Sequence, residues 1–298
     1  MTPRLTSDQA RQLAETSGLR QMGVRPPLGR YIAAVWTRRS FIWNLSASRA
    51  YTRNQGSYLG QAWNVLRPIL DAGVYVIIFG VVLQVTEGVL NRAAFITVGT
   101  FVYRLFATSV STGAASIPDN IDLVRSHQFP RAIVPLATTM TEVVLFGPVL
   151  AAMLVVSFLT GFLPNMAPVN PTWSWLLIPF AAALLALFAL GLGMLFSRLG
   201  ARTPDIANIL PFFLGLGQFA SAVMFIPEQR ASSGSFHYHL LQDQPVRVFI
   251  ELFRGLVGAE GTIPLSGRLW TLAVAYAVGV FVIGVIVFWR REETYGRD

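Results

Sequence analysis

The 298 residues include no cysteine and no lysine, and only 13% of them carry a charge. Without cysteine there are no disulfide staples, no thiolate metal site and no thiol redox chemistry. Without lysine there is no phosphate-binding loop of the kind that closes a lysine on the β- and γ-phosphates. If ATP drives this protein, a separate chain hydrolyses it. An ordinary soluble domain is about 25% charged, so this chain has roughly half the usual charge. No repeat of fixed period and no low-complexity tract is visible. His237 and His239 stand two apart with no cysteine or carboxylate close by, which argues against a metal site. Asp119 and Asp122 have no Asp-x-Asp or paired-carboxylate companion, as acid–base work would need.

What is present is apolar bulk and arginine. Hydrophobic residues make up 53% of the chain, with 21 Phe, 8 Tyr and 7 Trp, and the net charge is +8. Residues 1–67 hold ten arginines against Asp8 and Glu15, whereas residues 68–298 hold thirteen arginines and thirteen acids. The whole excess is therefore N-terminal. Such a stretch suits nucleic acid, a membrane surface or an acidic partner, and the hydropathy selects the membrane.

A hydrocarbon core of about 30 Å needs roughly 20 apolar residues as helix. Six segments from Pro68 onward meet that: 68–87, 93–117, 135–163, 175–197, 204–226 and 269–289. Pro68 is expected in a first helical turn, where proline is tolerated. No apolar core precedes residue 68, so no signal peptide is expected. The arginines of residues 1–67, with Arg125, Arg131, Arg198, Arg202, Arg290, Arg291 and Arg297, fall on one side. Only Arg92, Arg230, Arg247, Arg254 and Arg268 fall on the other. The positive-inside rule then places both termini in the cytoplasm. The expectation is an all-α integral membrane protein in the cytoplasmic membrane. It comprises a basic segment 1–67, a six-helix domain 68–290 and a cytoplasmic tail 291–298.

Outside the spans, Ile32, Val35, Trp36, Ile42 and Trp43 recur at helical spacing with Arg38, Arg49 and Arg53 around them. Residues 30–54 are expected as one helix in the cytoplasmic interface, with an ordinary solvated helix as the alternative. The run VRVFIELFRGLVG (246–258) is too short to span, which fits a re-entrant or interfacial segment and suggests a pore-lining element.

The string SYLGQAWNVLRP (57–68) resembles the Ser-x-Leu-Gly-x-x-Trp-x-x-Leu-x-Pro motif of ATP-binding-cassette permeases that export polysaccharides. SIPDNIDLVRSHQFPRAIVPLA (116–137), ARTPDIANILP (201–211) and QPVRVFIELFRGLV (244–257) are similar to that family's later loops and re-entrant segment, in family order. The chain departs from the pattern in three places. Gln55 stands where the family usually has arginine, Ser221-Ala222-Val223 where it has Ser-Pro-Val, and Gln244-Pro245 where it has Asn-Pro.

The resemblance implies a half-transporter. Two copies form a channel, two ATPase subunits carry ATP and magnesium, and a lipid-linked polysaccharide is the cargo. This chain itself binds no cofactor and no nucleic acid and has no catalytic site. The wording of the Phe-Pro-Arg loop leans towards exporters of cell-wall galactan, with an O-antigen-like polymer also in range. A drug or lipid exporter, an ion-coupled transporter and a membrane-embedded transferase are the other function classes.

The resemblance also distributes roles along the chain. A short helix between Pro118 and Pro130 would seat in the ATPase, with Asp119 and Asp122 at its start and Arg125, Phe129 and Arg131 later, an order that matches the helix macrodipole. Arg49, Arg53, Gly56, Leu59 and Gly60 would form a portal for the lipid pyrophosphate, or Gly56 and Gly60 a simple hinge. Tyr75, Phe79, Phe212, Phe213, Gln218 and Phe219 would line the channel, although phenylalanines in a span also face lipid. Arg104 is a charge within a span. It contacts a substrate phosphate, pairs with Asp71 or Glu142, or sits nearer the interface than the apolar run implies.

Overall fold

Hydrocarbon offers no partner to a bare peptide group, so a chain of this hydropathy satisfies its backbone within helices. The computed structural model describes residues 26–83, 88–126, 129–203, 205–226, 243–259 and 263–290, which form ten α-helices and no strand. In chain order these are α1 (Leu28–Thr37), α2 (Arg39–Thr52), α3 (Trp63–Tyr75), α4 (Arg92–Ala115) and α5 (Ile121–Ser126), followed by α6 (Ile133–Thr160), α7 (Ile178–Arg202), α8 (Asp205–Ala220), α9 (Pro245–Val257) and α10 (Gly267–Arg290). A turn at Gly60–Ala62 leads into α3, which runs on as a π-helical stretch over Val76–Val82.

Among the described residues, five runs are long and apolar enough to cross a bilayer: Gly60–Val82, Arg92–Ala115, Ile133–Thr160, Trp173–Ala201 and Gly267–Arg290. The fifth expected span, 204–226, contains α8, which has only 16 residues. At 1.5 Å per residue it reaches about 24 Å, short of the roughly 30 Å core. The helix ends because the Ser221 hydroxyl donates back to the Gly217 carbonyl and Ala222 turns to φ 54°. The expected tail 291–298, residues 1–25 and residues 84–87 of the first span lie outside the described residues.

Three other expectations are corrected. The helix expected over 30–54 is two helices broken at Arg38. Thr37 and Arg39 donate to the Ala34 and Trp36 carbonyls, which satisfies the end of α1 locally. Pro68 sits inside a helix because the motif before it is itself helical from Gly60. The run 246–258 is helical as α9, but every residue from Val246 to Arg254 is buried in protein. It packs on α4, α7 and α10 and so lines no open face of the protomer.

The core forms around α4 and α7. Glycines let the backbones meet: a Cβ on Gly113 would lie 2.8 Å from the Gly193 Cα, and one on Gly191 would lie 2.6 Å from the Val280 carbonyl of α10. Small residues at such crossings replace the hydrophobic drive that lipid cannot supply. Asn91 caps α4 by accepting from the Ala94 N–H and also donates to Thr160 and to the Ala167 carbonyl. A second apolar cluster joins α1, the loop around α5 and the ends of α6, α7 and α10, through Tyr31, Ile117, Val124, Val134, Met194 and Phe288.

Candidate functional site

Spacing along α3 and α4 brings a carboxylate and a guanidinium together inside the spans. Asp71 lies at the midpoint of Gly60–Val82, Arg104 lies at the midpoint of Arg92–Ala115, and the two form an ion pair. Of the three options for Arg104, the structure therefore places it mid-span and on a carboxylate. The pair is not sealed: Arg104 and Asp71 keep 35% and 42% of their side-chain surface exposed. Glu142 of α6, the other carboxylate considered, is taken by Arg53, whose Nη1 donates to its two oxygens at 2.9 and 2.8 Å.

Arg104 sits in the wall of two cavities. One, of about 90 Å³, is lined by Arg53, Asn64, Arg67, Arg104 and Glu142 among others. Three guanidiniums and one carboxylate thus converge, with Arg67 stacked over the Trp63 ring at 5.6 Å. The other, of about 310 Å³, lies between α3, α4 and α8, and its lining includes Asp71, Tyr75, Arg104, Ser111, Thr112 and Gln218. Tyr75 and Gln218 are therefore brought to one site with Arg104. Phe79 bridges Tyr75 and Phe219, with ring centroids 6.3 Å from each. Phe212 and Phe213 stack edge to face at 5.7 Å on the exposed side of α8 and line neither cavity.

At the end that carries α1 and α2, Arg49 of the expected portal reaches the loop that holds the expected ATPase-docking residues. Arg49 donates to Asn120 Oδ1 at 2.6 Å and to Thr138. Burial lowers the pKa of Arg49 below that of a free guanidinium. Arg49 is thus committed to the loop before α5, while Arg53 faces the smaller cavity. Leu59 is exposed, and Gly56 and Gly60 have open space around their Cα atoms. Gly60 takes φ 49°, a conformation glycine adopts without strain. Asp119 and Asp122 are exposed and Arg125 lies in α5, whereas Phe129, Pro130 and Arg131 are half-buried. Phe129 lies 6.3 Å from Phe41, and the Ala132 N–H donates to the Tyr31 hydroxyl at 3.0 Å.

Several of these residues do not stand out in the sequence. Gln61 Nε2 donates to the carbonyls of Ala50, Tyr51 and Arg53, closing the end of α2, and Asn64 donates to Gln61 Oε1. Their i, i+3 spacing inside the 57–68 string is the available signal. Arg247, Glu251 and Arg254, at i, i+4 and i+7, share one face of α9 and are fully buried. Among the described residues no group of His, Asp or Glu could hold a metal, and His237 and His239 lie outside them.

Residues 41–257 match the model of the ABC-2 type transporter family. The O-antigen export system permease protein RfbA of Myxococcus xanthus is 27% identical over 264 residues, covering 89% of this chain and 97% of that protein. The protein of the same name from Klebsiella pneumoniae is 25% identical over 79% of this chain and 86% of its own length. The polysialic acid transport protein KpsM of Escherichia coli is 25% identical over 79% of this chain and 87% of that protein.

Proposed function

The chain belongs to the ABC-2 type transporter family, and from that premise we propose that it is the membrane-spanning permease subunit of a polysaccharide exporter. It works as one of two copies, with two ATPase subunits that carry ATP and magnesium on the cytoplasmic side. The cargo is a lipid-linked polysaccharide. The relatives' names support an O-antigen-like polymer, and the galactan expectation rests on the loop wording alone.

The observation that carries the path is the half-exposed Asp71–Arg104 pair at mid-span. An ion pair facing lipid at that depth is costly, so its exposed side meets water or another protein. Leu70 and Val74 of α3 and Phe212, Phe213 and Leu216 of α8 are apolar and exposed. A second copy seated against α3 and α8 encloses the pair in a water-filled passage lined by aromatic and hydroxyl groups. Such a lining lets a sugar polymer slide without strong charge capture. On the cytoplasmic side, movement of α5 reaches α2 through the Arg49–Asn120 contact.

The lack of lysine assigns ATP hydrolysis to another subunit. The test is co-purification with a Walker-motif ATPase, followed by transport in vesicles. Lipid-linked glycan should cross only when ATP is supplied. Transport without ATP, or a purified permease with no ATPase attached, would sink the assignment.

A further inference from the structure

A buried cation holds the end of α8. Arg254, near the end of α9, donates through Nη1 to the Ala222 carbonyl and Glu251 Oε1, at 3.2 and 2.8 Å. Its Nη2 reaches the Ala222 and Val223 carbonyls at 3.3 and 2.8 Å, and its Nε reaches the Phe95 carbonyl at 3.2 Å. The guanidinium also lies 3.3 Å from the centre of the Phe95 ring. Gly99 makes room for it: a Cβ there would lie 2.8 Å from Nη2.

The segment being held is not at rest on its own. Ala222 adopts φ 54°, a left-handed conformation that costs a residue with a side chain. Ala222, Val223 and Met224 are nonetheless fully buried. Gln244 clamps the same place from the other end of α9, accepting from the Arg247 N–H and donating to the Ser221 hydroxyl. The carbonyls freed where α8 breaks need donors, and the planar fork of arginine supplies several at once, which lysine cannot.

We propose that Arg254 is a positioning residue that latches the 221–226 segment in its non-helical, buried form, ending α8 early and closing the outer mouth of the path. This rests on the reading that α8 lines the passage. When the latch is released, Ala222 leaves the left-handed region and the segment moves out of the core or continues α8 as helix.

The chain's lack of cysteine makes the test direct. Met224→Cys places one thiol on the latched segment of the complete permease–ATPase complex. It is labelled from outside, without ATP, by a membrane-impermeant maleimide. Arg254→Lys keeps the charge beside Glu251 but loses the fork, so labelling should rise about ten-fold, the scale of one lost charge-assisted hydrogen bond. Gly99→Ala, which leaves arginine in place but crowds both its head and Val223, should raise labelling in the same direction.

Unchanged labelling in an assembled Arg254→Lys complex overturns the latch. If that complex does not assemble, unchanged labelling with Gly99→Ala does so. Failure of both to assemble makes Arg254 a folding residue, which also overturns it. A Met224→Cys complex that exports with ATP yet labels equally in both backgrounds disproves the latch alone. One that labels as expected but shows no ATP-dependent export disproves the transport reading instead.

Discussion

Two ion pairs in this protein join the same kinds of group in opposite surroundings. Arg254–Glu251 has no exposed side-chain surface, and the arginine is hydrogen-bonded to three backbone carbonyls besides the carboxylate. Asp71–Arg104 lies at mid-span with more than a third of each side chain open. A buried charge persists only when its bonding capacity is met inside the protein, so the first pair reads as structure. An open charge at membrane depth needs water or a partner, so the second is consistent with the proposed wall of a passage. Exposure, rather than residue type, separates the two roles.

Two further pairs make the contrast a graded series. Arg53–Glu142 is exposed by 34% and 7%, and Arg268–Asp243 by 62% and 46%. Glu251→Ala strands Arg254 and should cost about 3–5 kcal/mol, read as loss of folded permease in a detergent melting series. A mild loss would break the contrast at its buried end. Glu142→Ala leaves Arg53 with a way out towards solvent and should cost roughly 1–3 kcal/mol by the same measurement.

Asp71→Asn and Arg104→Ala should each change the melting by no more than about 1 kcal/mol, as partly exposed pairs do, while abolishing most ATP-dependent export. The reversed pair, Asp71→Arg with Arg104→Asp, should restore part of it. Wild-type export by Arg104→Ala would remove this pair from the passage. Asp243→Asn should be the smallest effect, about 0–1 kcal/mol with export unchanged.

Much of the fold is legible along the chain because a span is a local statement. About 20 apolar residues in a row make a membrane helix wherever they pack, and five of the six expected segments are helices of that length. α8 escapes because its end is set by Ser221, Ala222 and the distant Arg254. The 246–258 run is too short to span, as its length implies, but its helix α9 is buried rather than pore-lining. Its apolar residues suit a pore wall or a core equally well, and only the packing of Phe249, Leu252 and Phe253 into the main core decides it. For Arg104, sequence offers several partners within reach, and only the facing of α3 on α4 selects Asp71.

The net +8 and its confinement to residues 1–67 are properties of the sequence alone, as are the absence of lysine and the helical spans. These follow from composition and local hydropathy, which act through neighbours in the chain. Tertiary structure alone decided which charges are sealed and which are open. Arg247 and Arg254, counted along the sequence as loop charges, are fully buried, while Arg104, in the middle of a span, is not. The reason is physical: the cost of a charge depends on the donors, acceptors and water that reach it in three dimensions, and carbonyls 31 to 159 positions away in the chain join Glu251 in supplying those for Arg254.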